Sequence, residues 1–173
     1  MNYQHRFQVR APLKAVADFH ARSSSMGAIT PPPVIVRILH APPLLRSEDE
    51  MDFTLWFGPF PLRWVARIEA LEAQTPEVSS GLPQSGRRPG LVRGASAGFA
   101  DRQVRGPFAH WLHRHLFIPL DDQTTVVVDE IELKFRRHLL WGPVGVGVWL
   151  SLPFLFAYRA RKTRRLLEKR TAR

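Results

Sequence analysis

The stretch QTTVVVDEIELKF (123–135) decides the fold of this 173-residue chain. Its β-branched residues and alternating apolar positions predict one long strand. The chain then closes with residues 143–173, which have the pattern of one long helix, apolar at first and basic at its end. A helix of this kind that packs across a sheet leaves room for a cavity between the two. The sequence therefore predicts a cavity between the sheet and the last helix that could bind a ligand.

Further strands are predicted upstream of this stretch, because alternating or β-branched apolar residues recur there. They cover residues 3–10, 34–40, 47–57, 61–71, 99–105 and 108–120. Helical spacing follows Pro12 and ends at His20, and a second helical turn is predicted over 26–30. Because most strands are adjacent in sequence, we expect an α+β fold. It would combine an antiparallel sheet of six to seven strands, a short helix pair after the first strand and a long C-terminal helix.

Length and composition favour a single domain over residues 1–173, since 45% hydrophobic content is enough for one core. Within it, residues 74–98 are rich in Gly, Pro and Ser and contain no aromatic residue, which predicts a long flexible surface loop. The chain has no cysteine, which excludes disulfides, thiol catalysis and cysteine-based metal sites. The first residues lack the apolar run of a signal peptide, so a cytoplasmic location is expected.

The positive charge of the chain is concentrated at its C-terminal end. Residues 159–173 contain eight Lys and Arg against one Glu, a net charge of +7 out of the chain's +10. A nucleic-acid-binding surface would spread over the fold, so we expect no nucleic-acid partner. The cations suit the C-terminal end of a helix, and peripheral membrane contact through them is an alternative. The apolar run 144–158 is shorter than the roughly 20 residues that span a bilayer, which favours a buried closing helix.

Five motifs in a fixed order carry a family resemblance. They are PLKAVADFH (12–20), TPPP (30–33), FADRQVRGPFAHWLHRH (99–115), DEIEL (129–133) and YRARKTRRLLE (158–168). Together they resemble the START-like (SRPBCC) superfamily, in particular a bacterial subgroup similar to polyketide cyclase/dehydrase-like proteins. The resemblance covers nearly the whole chain, apart from 74–98, which looks like an insertion. It implies a helix-grip fold, in which a curved sheet surrounds the last helix and leaves a cavity for a ligand.

Two predicted strands place polar groups on the face expected to line this cavity. In the last strand Asp129 shares a face with apolar residues, and a buried carboxylate must be paired or have a raised pKa. In the strand before it we place His113 and His115 on the inward face. These histidines are expected to be hydrogen-bonded or paired with Asp129, and a metal site made by the three residues is a less favoured alternative. No metal or other cofactor is therefore predicted.

We expect the cavity to bind a hydrophobic small molecule or lipid, held by apolar contacts and oriented by the few polar groups. The residues predicted to line it are Phe53, Leu55, Phe57, Trp64, Trp111, His113, His115, Asp129, Ile131, Leu133 and Trp149. His20 is expected to lie at the surface or to cap its helix. No nucleophile, nucleotide-binding or metalloprotease motif is present, so no catalytic residue is assigned and a binding protein is favoured. The alternatives are a cyclase/dehydratase-type enzyme acting on a polyketide-like substrate and a membrane-surface module.

Overall fold

The structure, a computed structural model, describes residues 1–71 and 97–171, with side chains as far as 168. Within them, seven strands and three helices follow one another along the chain. They are β1 (Asn2–Val9), α1 (Leu13–His20), α2 (Ser25–Ile29), β2 (Val34–His40), β3 (Glu50–Phe57), β4 (Phe60–Ala70), β5 (Ala97–Arg105), β6 (Phe108–Asp121), β7 (Thr124–Phe135) and α3 (Trp141–Thr171). The predicted loop 74–98 lies outside the described residues except for its last two, which begin β5.

All seven strands form one antiparallel sheet in the order β1-β7-β6-β5-β4-β3-β2. The sheet and the long last helix confirm the predicted α+β helix-grip architecture. Chain order is kept except that β1 lies beside β7, so the first and last strands meet. That arrangement places the end of the chain, α3, where it can pack on the strands from both ends of the sequence.

Two glycines are required where the backbone turns or comes close to another strand. Gly58 has a φ of +61° in the turn between β3 and β4, a conformation that L side chains rarely adopt. At Gly98 a Cβ would collide with the carbonyl oxygen of His115 on β6. This close approach fixes the register of β5 on β6, in which Asp101 lies opposite His113.

Helix α3 packs on β1 and β7 and also contacts α2. Its buried residues Leu152, Phe156, Ala160 and Leu167 enter two clusters of core side chains. By length and composition alone, the segment Trp141–Glu168 could cross a membrane. In this fold it is instead the core helix that the sheet surrounds.

The opposite side of α3 carries an exposed apolar stripe. Val146, Leu150 and Phe154, spaced four residues apart, are 43%, 72% and 67% exposed. The spacing places them on one face of the helix. The side of α3 that packs on the sheet and the side that faces away are therefore both apolar in this half of the helix.

Candidate functional site

A cavity of about 600 Å³ lies between the sheet, α2 and α3. This volume is within the range of roughly 300–1,000 Å³ that is typical of ligand pockets. Most of its wall is apolar. The side chains of Met26 and Ile29 from α2, Leu152 and Leu155 from α3, and Met51 from β3 contribute to it. The cavity is therefore an apolar chamber closed on one side by helices and on the other by strands.

The cavity wall includes seven of the eleven residues that the sequence analysis assigned to it. They are Phe53 and Leu55 on β3, Phe57 at its end, Trp64 on β4, and Trp111, His113 and His115 on β6. The aromatic rings contact one another, since Trp64 stacks on Phe53 at a centroid distance of 6.2 Å and meets Trp111 edge-on at 5.1 Å.

The other four assigned residues lie elsewhere, which corrects their placement. Ile131 and Leu133, 2% and 0% exposed, are packed core residues on β7. Asp129 lies behind the two histidines, and Trp149 packs edge-on against Tyr3 at 6.2 Å. The reason is that α3 covers β1 and β7, so the inward face of β7 is filled by the helix and only β2 to β6 border the cavity.

Four side chains from three adjacent strands form what we call the His–Asp cluster: Asp101, His113, His115 and Asp129. The strand register places Asp101 opposite His113 and His115 opposite Asp129. His113 Nδ1 lies 3.1 Å from Asp101 Oδ2, and His113 Nε2 lies 3.1 Å from Asp129 Oδ1. His115 Nε2 lies 3.3 Å from Asp101 Oδ2, and His115 Nδ1 lies 2.8 Å from Asp129 Oδ1. Each imidazole therefore bridges the two carboxylates, in a closed ring of four contacts.

The cluster is deeply buried, and its groups shift one another's pKa values. Burial by itself would lower the pKa of His113, but the charges and hydrogen bonds of Asp101 and Asp129 outweigh it, so the pKa is raised. Burial would raise the pKa of each carboxyl group, but contacts with His113 and His115 hold both pKa values below their ordinary range. The arrangement thus keeps two carboxylates ionised inside the protein and favours a positive charge on His113.

His20 is buried at the cavity wall, which corrects the expectation of a surface or capping role. Its Nδ1 lies 2.9 Å from the Val16 carbonyl oxygen, and its ring packs on Phe117 at a centroid distance of 5.0 Å. Burial, followed by the nearby charge of His115, lowers the pKa of His20 to about 4. His20 is therefore neutral at pH 7. Helical spacing could not reveal this position, because the burial arises when α1 packs on β5, β6 and β7.

Two further polar residues of the cavity were missed at the sequence level. Asp101 is two residues after Phe99 in a predicted strand, and period-two alternation would have put both on the inward face. Arg159 lies where the apolar part of α3 meets its basic end, with its guanidinium 5.1 Å from the Phe156 ring centroid. Nothing in the local pattern separates Arg159 from the solvated arginines that follow it.

The curved seven-stranded sheet, the long closing helix and the cavity between them define a helix-grip fold. No protein-family model matches the chain, and no curated protein matches its sequence. Solved structures do match over nearly its full length. An aromatase/cyclase from a Streptomyces species is 16% identical, with a TM-score of 0.68 over 99% of this chain and 95% of its own.

Two other similar structures come from different organisms. Norcoclaurine synthase from Thalictrum flavum, in complex with dopamine and hydroxybenzaldehyde, is 10% identical, with a TM-score of 0.61 over 98% of this chain and 87% of its own. A Nitrosomonas europaea protein is 9% identical, with a TM-score of 0.64 over 100% of this chain and 97% of its own. At these identities the similarity shows the fold, and it confirms the fold expected from the START-like resemblance.

Proposed function

We propose that the cavity binds a hydrophobic small molecule, a lipid or a ring-bearing compound, whose polar group contacts the His–Asp cluster. The observation that carries this proposal is the distribution of polarity in the wall. The wall is apolar on β3 and β4 and mostly apolar on α3, while Asp101, His113, His115 and His20 meet in one place. A ligand bound there would gain most of its affinity from apolar contact and its orientation from the cluster.

Two hydroxyl groups in the wall, those of Ser25 and Thr30, are already hydrogen-bonded within the protein. The Ser25 hydroxyl donates to the Phe19 carbonyl oxygen at 2.5 Å, and the Thr30 hydroxyl donates to the Met26 carbonyl oxygen at 2.7 Å. These two hydroxyl groups therefore have little remaining capacity to hydrogen-bond a ligand. The His–Asp cluster, together with the guanidinium of Arg159, supplies charged groups in the wall that could orient a ligand.

The aromatic wall favours a ligand that carries rings. Flat side chains such as Phe53, Trp64 and Trp111 offer faces and edges that pack well on another ring. A protein of the same fold, norcoclaurine synthase, has been captured with dopamine and hydroxybenzaldehyde, both of which are ring compounds. This likeness in fold supports a ring-bearing ligand for the present chain.

Narrowing the cavity should abolish binding without disturbing the fold. Ser151 lines the cavity but is exposed, so Ser151→Trp adds bulk there without displacing a core side chain. We expect the variant to bind the uncharged fluorescent probe N-phenyl-1-naphthylamine at least about tenfold more weakly than the parent, a difference of about 1.4 kcal/mol. Fluorescence titration measures this affinity.

The matched control for this test is Leu150→Trp. It adds the same side chain one residue earlier, at a position that is 72% exposed and outside the cavity wall. Its affinity should equal that of the parent. Equal affinity in the parent and in both variants would show that the probe binds elsewhere, and would overturn the proposal.

A second candidate function is proton transfer of the cyclase/dehydratase type on a polyketide-like substrate. The observation that favours it is the contact between His113 Nε2 and Asp129 Oδ1, 3.1 Å, beside a cavity. An imidazolium held by carboxylates can donate a proton to the carbonyl oxygen of a substrate, while a neighbouring carboxylate such as that of Asp101 takes a proton from the adjacent carbon. Two proteins of the same fold are named as aromatase/cyclases.

Deuterium exchange tests this candidate without knowledge of the natural substrate. The protein should speed deuterium incorporation next to the carbonyl of propiophenone in heavy water, and His113→Gln should reduce the enzymatic rate by about 100-fold or more. His110→Gln, on the other face of β6, should leave the rate unchanged. NMR measures the exchange, on variants whose near-ultraviolet circular dichroism matches the parent. A parent rate equal to that of buffer would contradict proton transfer of this kind.

A further inference from the structure

Three members of the His–Asp cluster have the composition and placement of a metal site. One ligand atom from each of Asp101, His113 and His115 lies within 4.8 Å of the other two. Two imidazoles and one carboxylate form a donor set that suits divalent first-row metals. We propose that these three residues bind one divalent transition-metal ion, of the zinc type, at the wall of the cavity.

The distances between the donor atoms support this assignment. Asp101 Oδ2 lies 3.1 Å from His113 Nδ1 and 3.3 Å from His115 Nε2. A tetrahedral ion that holds its ligands at about 2.0–2.1 Å keeps neighbouring ligand atoms about 3.3 Å apart. Direct charge-assisted hydrogen bonds are shorter, at about 2.7–2.9 Å. These two distances therefore allow the three ligand atoms to surround a common ion.

Asp129 lies behind the two histidines, in the position of the carboxylate that usually orients a metal-binding imidazole. Its Oδ1 lies 3.1 Å from His113 Nε2 and 2.8 Å from His115 Nδ1, the ring nitrogens that face away from Asp101. A carboxylate behind a metal-binding imidazole fixes the ring and its tautomer. His113 Nε2 is hydrogen-bonded to Asp129, so with Nε2 protonated the lone pair of His113 Nδ1 faces the Asp101 carboxylate. The contact between His115 Nδ1 and Asp129 is close but lacks hydrogen-bond alignment. A cation held by Asp101, His113 Nδ1 and His115 Nε2 would replace the contacts among them with three bonds.

The charge of the cluster is compatible with a bound divalent ion. With neutral imidazoles, the two carboxylates give the buried cluster a charge of −2, which a divalent ion neutralises. Arg159 lies elsewhere in the cavity wall, with its guanidinium over the Phe156 ring. Two protons would balance the cluster equally well, and the experiment below separates protons from a metal.

The Asp101 side chain, 21% exposed, is the most accessible member of the cluster. An ion bound to it would keep its remaining coordination position toward the cavity. That position would take a water molecule or an oxygen of the organic ligand. The inference does not rest on the proposed function, because the metal and an organic ligand can be titrated separately.

Titration of the chelator-treated, untagged full chain with zinc chloride tests the proposal. Isothermal titration calorimetry at pH 7.5 should show one ion per chain with a dissociation constant of about 1 μM or lower. Cobalt chloride should give the visible absorption bands of a tetrahedral cobalt site. No binding tighter than about 1 mM would overturn the proposal and leave protons as the balancing charges.

Substitutions then assign the ligands. Asp101→Asn and His115→Gln should each weaken zinc binding by at least about 100-fold, and Asp129→Asn by about 10- to 100-fold, since it acts through the histidines. Asp121→Asn, at the turn between β6 and β7, is the control and should bind as the parent does. Near-ultraviolet circular dichroism confirms that each variant is folded. Zinc binding that survives Asp101→Asn would overturn the assignment.

Discussion

Replacing His113 by leucine is expected to lower the free energy of unfolding by about 3–5 kcal/mol, because it breaks a buried ion-pair network by removing one partner. His113 touches both Asp101 and Asp129, and leucine leaves those carboxylates with less compensation. Urea unfolding at pH 6 measures the change. The folded pKa of His113 is raised above its ordinary value of 6.5. Its stabilisation is therefore complete below pH 6.5 and is lost as the pH rises through the folded pKa.

The control for this experiment is His110→Leu. His110 lies on the same strand but on the opposite face, where its side chain is 29% exposed and 3.6 Å from Glu132. Partly exposed pairs contribute about 1 kcal/mol or less, so the control should change stability little. A His113→Leu protein as stable as the control would contradict a stabilising ion-pair network around His113.

Truncating Phe156 to alanine is expected to cost about 3–5 kcal/mol, because it opens a cavity beneath α3. Phe156 is 1% exposed and contacts β1 through Tyr3, at a centroid distance of 5.6 Å. It also meets the His113 ring edge-on at 5.4 Å, so it connects the helix to the His–Asp cluster. Urea unfolding, with its slope checked against the parent, measures the loss.

Phe154→Ala removes the same group two residues away on the same helix. Phe154 is 67% exposed, so its loss should change stability by about 0.5 kcal/mol or less. The difference between the two variants therefore measures how firmly α3 is held by the sheet. Equal and small effects would indicate that the helix does not pack on the sheet, which would contradict the fold itself.

Much of the site followed from local periodicity. Alternation on β7 put Asp129 among inward-facing residues, and alternation on β6 put His113 and His115 on the inward face. The period of two groups the residues of each strand into two faces. On β6 both faces are mixed, and the inward one was chosen because His and Trp side chains combine an apolar body with a polar tip. The same rule would have found Asp101 on β5, had the polar residues of that strand been considered.

Other features depend on which element covers which part of the sheet. Ile131 and Leu133 share the inward face with Asp129, yet α3 packs on β7 and leaves them in the solid core. His20 became part of the cavity wall because α1 packs on the neighbouring strands. The alternation of residues in a strand predicts which side chains share a face. Whether that face lies in the packed core or lines the cavity depends on where helices distant in sequence pack on the sheet.

The sequence by itself determined the strands, most of their inward faces and the long helix, apolar at first and basic at its end, because each follows from the residue pattern along a short stretch of chain. Only the tertiary structure decided that Asp101, His113, His115 and Asp129 form one cluster. That cluster arises from the pairing of three strands, whose register depends on the close backbone approach at Gly98 as well as on sequence. The location of the cavity likewise depends on which strands α3 packs against.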